Sequence, residues 1–217
     1  MKKFIDNISL LKKLLVLSLL PLVAFLWVAT NQLRTDFTSL AETKANLILI
    51  EYARLGSNAM NDLQKERGMS GGFLASKGEN FKEALPSQRQ KTNTSLDELK
   101  KYMPTVLSKT KEPRIQQTAQ KITSMLDGLE AIRGRVSQLT IEPKEALGFY
   151  TATNEELIGN VYVLADSTSI ADISHYILSL GHLETLKEAS GLERAVLNVV
   201  LMHGAYGPGE LSKHITL

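Results

Sequence analysis

The 217-residue sequence contains no cysteine, so no disulfide staples the fold and stability has to come from a packed core. That length allows one domain of ordinary size or two small ones. Cysteine-free composition is compatible with an extracytoplasmic protein whose core needs no covalent support. An excess of charge of either sign is missing as well. The formal net charge is +2, but residues 1–13 hold Lys2, Lys3, Lys12 and Lys13 against Asp6, which leaves the remainder at −1. A chain so nearly neutral, with no interleaved aromatic and basic residues, offers no field for nucleic acid. Period-two alternation is missing, so the expected fold class is all-α. There is no nucleophile–base arrangement, phosphate-cradling glycine loop or zinc spacing, so no enzyme activity, cofactor or metal site is expected.

What is present begins with an uncharged run from Leu14 to Thr30, preceded by lysines and carrying Trp27 near its far end. It meets the length of a membrane span. The positive-inside rule places residues 1–13 in the cytoplasm, a signal-anchor helix over 14–31, and residues 32–217 outside the membrane. Pro21 is tolerated in such a helix, and Val28-Ala29-Thr30 is a poor cleavage site, so the anchor is expected to be retained.

Helical spacing continues from about Leu33 to Ser76, with Leu40, Leu47, Ile50, Leu55 and Leu63 as candidates for an inward face. Lys77-Gly78-Glu79-Asn80 reads as a turn. Further helices are expected from Phe81 to Met103 ending at Pro104, from Pro113 to about Leu139, from Pro143 to about Asp166, and from about Ile170 to Met202. Gly204 to Gly209 reads as a break and Glu210 to Leu217 as the opening of a sixth helix, so the domain is expected to be incomplete at its C-terminus. The whole is an elongated helical bundle.

One stretch conflicts with its own pattern. In Leu63-Gln64-Lys65-Glu66-Arg67-Gly68-Met69-Ser70-Gly71-Gly72-Phe73-Leu74, residues Leu63, Arg67, Ser70 and Leu74 lie on one helical stripe that should face a core. A buried guanidinium requires carboxylates, carbonyls or a bound anion. Ser190, Arg194, Leu197 and Leu201 repeat the offsets 127 positions later, which suggests an internal duplication. Gly68, Gly71 and Gly72 are costly in a helix and are expected to permit close approach or a bend.

Leu63 to Ser70, Phe73-Leu74, Gly78, Phe81, Arg89 and Thr94 resemble the first half of the nitrate- and nitrite-sensing (NIT) domain, and Leu186 to Ala195 resembles its second-half signature. The similarity covers roughly Leu40 to Leu217. The resemblance implies an all-helical extracytoplasmic sensor of two stacked four-helix bundles, as in bacterial chemoreceptors, sensor kinases, cyclic-dinucleotide enzymes and some transcription antiterminators. It also implies a homodimer in the inner membrane. A second span, a HAMP-like linker and an output domain, which that pattern includes, are not in these 217 residues.

Nitrate is planar, singly charged and acceptor-only, and it suits the paired donors of a guanidinium. The expected ligands are Arg67 and Ser70, one turn apart, with Arg194 closing the site. Arg67→Ala is then expected to remove nitrate-dependent stabilisation at little cost to the fold. The alternative is a helical scaffold or dimerisation and docking module in which each arginine pairs with a carboxylate such as Glu51, Glu130 or Glu156. A carboxylate in reach of Arg67 would favour the scaffold, and its absence the sensor. Arg89, Arg133 and Arg135 are expected on solvated faces, His175 and His182 make a weak metal pair, and Tyr150, Tyr162 and Tyr176 are expected in or beside the core.

Overall fold

The computed structural model describes residues 9–110 and 112–203. These form six helices: α1 Leu10–Ala75, α2 Ala84–Lys109, α3 Pro113–Asp127, α4 Leu129–Ser137, α5 Pro143–Asp166 and α6 Ala171–His203. No strand occurs among the described residues, and the chain divides into two compact units, Met1–Lys44 and Ala45–Leu217. The break and sixth helix expected after Gly204 lie outside the described residues.

In the first unit the helix exposes Leu14, Leu17, Leu20, Phe25 and Trp27. An 18-residue window has mean hydropathy 2.1 with none of it buried, so the helix is long and apolar enough to cross a membrane. Helix α1 begins at Leu10 rather than near Leu33, and Pro21 lies inside it.

In the second unit α1 buries a stripe through Leu49, Tyr52, Ala53, Met60 and Leu63. Leu55 joins this core as expected and Ile50 packs against it. Leu47 does not, at 57 % exposed, and Leu40 of the first unit is 51 % exposed. Both fall off the stripe that begins at Leu49 and repeats at three- and four-residue steps. The helix closes with paired bonds, Gly78 N to Phe73 O at 2.8 Å and Lys77 N to Leu74 O at 3.1 Å. That is the Schellman pattern, with Lys77 at φ 54° in the left-handed position and Gly78 at φ 93° after it.

Two expected boundaries move. Helix α2 passes through Pro104 to Lys109, because Val106 beyond it is fully buried in the main core, and that burial offsets the hydrogen bond proline removes. The single helix expected from Pro113 to Leu139 is divided at Gly128, against which the Phe149 ring packs. Pro113 and Pro143 open α3 and α5 as expected, and Glu112 caps α3 by accepting from Arg114 N.

Burial forms two apolar clusters. The larger includes Leu63, Leu96, Leu129, Tyr150 and Leu157, and the smaller holds Leu74, Leu85, Val136, Ile141 and Ala146. Along α1 the clusters meet the interval between Leu63 and Leu74, where Glu66, Arg67 and Ser70 are all buried. On α2 the same interval holds Gln88 and Thr92, and on α4 it holds Arg133, also buried. A polar layer therefore separates two oily ones.

Candidate functional site

Leu63, Arg67, Ser70 and Leu74 are all buried, at 0, 6, 0 and 8 % exposure, so the stripe faces inward as its spacing requires. Two neighbouring ionic networks occupy the layer.

The first centres on Glu66, which has no exposed surface. Arg133 of α4 grips it side-on, Nε to Oε1 and Nη2 to Oε2, both 2.7 Å. The Tyr150 hydroxyl donates to Oε1 at 2.8 Å. Arg133 Nη1 also donates to Asn93 Oδ1 and Glu130 Oε1, each at 2.5 Å. Arg89 approaches Glu66 at 3.8 Å and donates to Ser137 Oγ and the Arg133 carbonyl. Burial pushes the Glu66 carboxyl up, but the hydrogen bonds and charge of Arg133, with the Thr92 and Tyr150 hydroxyls, hold it below the usual carboxylate range. Burial and the adjacent Glu66 raise the Tyr150 phenol.

These contacts correct the expectation for two arginines. Arg133 is 3 % exposed and Arg89 is largely covered, because the buried Glu66 draws both guanidinium groups inward to satisfy its charge. Arg135 does lie at the surface, paired with Glu145.

The second network centres on Arg67. Its Nη1 and Nη2 meet the two oxygens of Glu188 on α6, Nη2 to Oε2 at 3.2 Å, and Nη1 also donates to Thr151 Oγ1 at 2.8 Å. Gln64 Nε2 and Asn154 Nδ2 reach the same carboxylate at 3.0 and 3.3 Å. A Cβ at Gly191, one turn beyond Glu188, would stand 3.0 Å from Arg67 Nη2. The missing side chain lets the guanidinium lie against α6. Asn154 Oδ1 is buried and completes no hydrogen bond, and the buried Ser70 Oγ faces the Tyr150 hydroxyl. The Tyr150 hydroxyl commits its proton to Glu66, and its oxygen is left to accept from Ser70.

Arg67 therefore has a carboxylate partner, the condition that favours scaffolding, but it is Glu188 and none of the three expected. Glu51 pairs with Arg54, Glu130 with Arg133 and Glu156 with Lys121. Removing Arg67 would strand Glu188, so Arg67→Ala is not benign to the fold. One signal for Glu188 was legible: Glu184 and Glu188 are four residues apart and share a face. Both are buried, and Glu184 accepts from Ser57 Oγ at 2.5 Å and from Lys187.

The repeat finds a counterpart in register but not in surroundings. Contacts rise together along α1 and α6, from Ser57–Glu184 to Arg67–Glu188, so these helices run parallel, and the first pair is separated by the repeat's own 127 positions. Yet Ser190 and Arg194 are exposed and Leu197 is 37 % exposed. The inward face of α6 passes instead through Ile177, Glu184 and Glu188, and Ser190, Arg194 and Leu197 are turned away from it, while the side chain of Leu201 lies outside those described. The structure does not bring Arg194 into the Arg67 network, and among the described residues no carboxylate pairs with it.

Gly71 and Gly72 do permit close approach, to Leu147 and Phe81, whereas Gly68 faces open space. His175 and His182 are exposed, and His182 Nδ1 meets the Tyr162 hydroxyl at 3.3 Å. Tyr150 is in the core and Tyr162 at its boundary. Tyr176 is 59 % exposed on the outer face of α6, with Leu183 and Leu186. A cleft lined by Asn93, Asp97, Lys100, Glu130 and Arg133 opens beside the first network and includes neither Arg67 nor Ser70.

Comparison with known proteins adds two findings. The family model described as nitrate and nitrite sensing matches residues 58–217. The solved structure of the NasR transcription antiterminator is similar, with a TM-score of 0.75 at 20 % identity over 82 % of this chain. This chain spans 49 % of that one, and at such identity the likeness concerns the fold. No curated protein matches.

Proposed function

Because the chain belongs to the nitrate and nitrite sensing family, we propose that it is the anion-sensing part of a membrane-anchored bacterial receptor of the chemotaxis or sensor-kinase type. Arg67 is the principal ligand and Ser70 supplies a hydroxyl donor one turn away, while Arg194, exposed on the outer side of α6, is left out of the site. The observation that carries this reading is a buried guanidinium and, one turn away on the same face of α1, a buried hydroxyl that no carboxylate holds. A planar anion can take donors from both. The exposed apolar stretch of α1 supports anchoring, and the lysines before it support an N-terminus in the cytoplasm, a span over 14–31 and residues 32–217 outside the inner membrane. In this reading the receptor is a homodimer and needs neither cofactor nor metal. Anion binding shifts the packing of long helices and so changes an output.

The scaffold reading is favoured by one observation, the Arg67–Glu188 pair. Thermal unfolding of the full chain in detergent micelles, with nitrate, nitrite, chloride and sulfate at matched ionic strength, separates the two. A ligand at 100 times its dissociation constant adds about 2.7 kcal/mol. Arg67→Lys keeps a cation opposite Glu188 but loses the planar fork. Stabilisation selective for nitrate or nitrite that this variant loses supports sensing, and equal shifts for every salt, or none, support a scaffold.

A further inference from the structure

The Arg67 network is an anion receptor that already holds an anion. Arg67, Gln64 and Asn154, from α1 and α5, converge on one carboxylate from α6. The carboxylate offers two oxygens in a plane and one negative charge to the paired donors of Arg67. Nitrate and nitrite offer the same arrangement, so ligand and Glu188 need the same edge of the guanidinium. Gly191 keeps α6 against Arg67, which holds Glu188 at the high effective concentration of a tethered group.

Resting on the sensor reading, we infer that Glu188 is a built-in competitor of the ligand: nitrate or nitrite occupies Arg67 only when the Glu188 carboxylate leaves it. Occupancy then breaks the strongest polar link between α1 and α6 in this layer. The apparent affinity equals the intrinsic affinity scaled by the fraction of molecules in which Glu188 has swung away. The device also identifies which helix reads the site, since Glu188 is carried by α6. Glu184, one turn earlier, is held by Ser57 and Lys187 and takes no part.

The test is nitrate titration of the full chain in micelles, comparing wild type, Glu188→Gln and Glu184→Gln. Glutamine is nearly the same size but neutral, and only its oxygen can accept from Arg67. Charge-assisted bonds are about twice as strong as neutral ones, so Glu188→Gln is expected to tighten nitrate by about tenfold. Glu184→Gln is expected to leave affinity unchanged. In the wild type, nitrate is also expected to speed amide hydrogen exchange over residues 184–191, a readout that does not depend on any variant folding. Nitrate binding that Glu188→Gln leaves unchanged or weakens, or exchange in α6 that nitrate slows or does not alter, would overturn the competition while leaving the sensor reading intact. Absence of nitrate-selective binding in wild type and in Glu188→Gln alike would overturn both.

Discussion

Glu66 and Arg67 are adjacent on α1, and both are buried, yet they do not serve each other. Glu66 is gripped by Arg133 of α4, and Arg67 grips Glu188 of α6. Their neighbours on α5 divide in the same way, Tyr150 going to Glu66 and Thr151 to Arg67. With Arg89 and Thr92 of α2 also at Glu66, one Glu-Arg dipeptide thus joins five helices through two networks. Each network leaves one buried atom without a hydrogen-bond partner, Arg89 Nε near Glu66 and Asn154 Oδ1 near Arg67.

The Glu66–Arg133 pair should show the asymmetry of a buried ion pair. Glu66→Gln, or Arg133→Met alone, leaves one charge buried without its counterpart and is expected to cost about 3–5 kcal/mol. The double variant Glu66→Leu/Arg133→Met removes both charges and should recover most of that loss. Chemical unfolding of the full chain in micelles measures all three, and a double variant no more stable than the singles would contradict the pairing.

Stability should also fall with acid through Glu66. Its carboxyl is held below the ordinary value of 4.5, so the unfolded chain binds the proton more readily than the folded one. The contribution is therefore fully present above the unfolded carboxylate's pKa and disappears as pH falls through the folded one. Between pH 7 and pH 3 the wild type should lose more stability than Glu66→Leu/Arg133→Met. Parallel pH profiles would show that Glu66 is not the group responsible.

Arg135 lies two residues from Arg133 on α4 but pairs with Glu145 in solvent, the two side chains being 43 and 51 % exposed. Arg135→Ala is expected to change stability by less than about 1 kcal/mol. Equal losses for Arg135→Ala and Arg133→Met would refute the division between surface and buried pairs.

The glycines of the motif should respond unequally. A Cβ at Gly72 would stand 2.4 Å from the Phe81 ring, so Gly72→Ala forces that ring aside and should cost about 1–3 kcal/mol. Gly68 faces open space, and Gly68→Ala should gain up to about 1 kcal/mol from helix propensity. Adding Phe81→Ala to Gly72→Ala should restore part of the loss, which thermal unfolding would register.

Local chemistry was enough to read several features from the sequence. An uncharged run of membrane length, helical spacing without strand alternation, prolines at helix starts and the inward stripe of Leu63, Arg67, Ser70 and Leu74 all depend on neighbours within a turn or two, where helical periodicity governs. Tertiary structure decided which charge meets which. Glu66 and Arg133 are 67 residues apart and Arg67 and Glu188 are 121 apart, so each pair exists only once separate helices have docked. The same docking turned Arg133 inward and Arg135 outward on one short helix, and rotated the second copy of the motif away from the core. Periodicity determines which residues share a face, but the packing of whole helices determines what that face will touch.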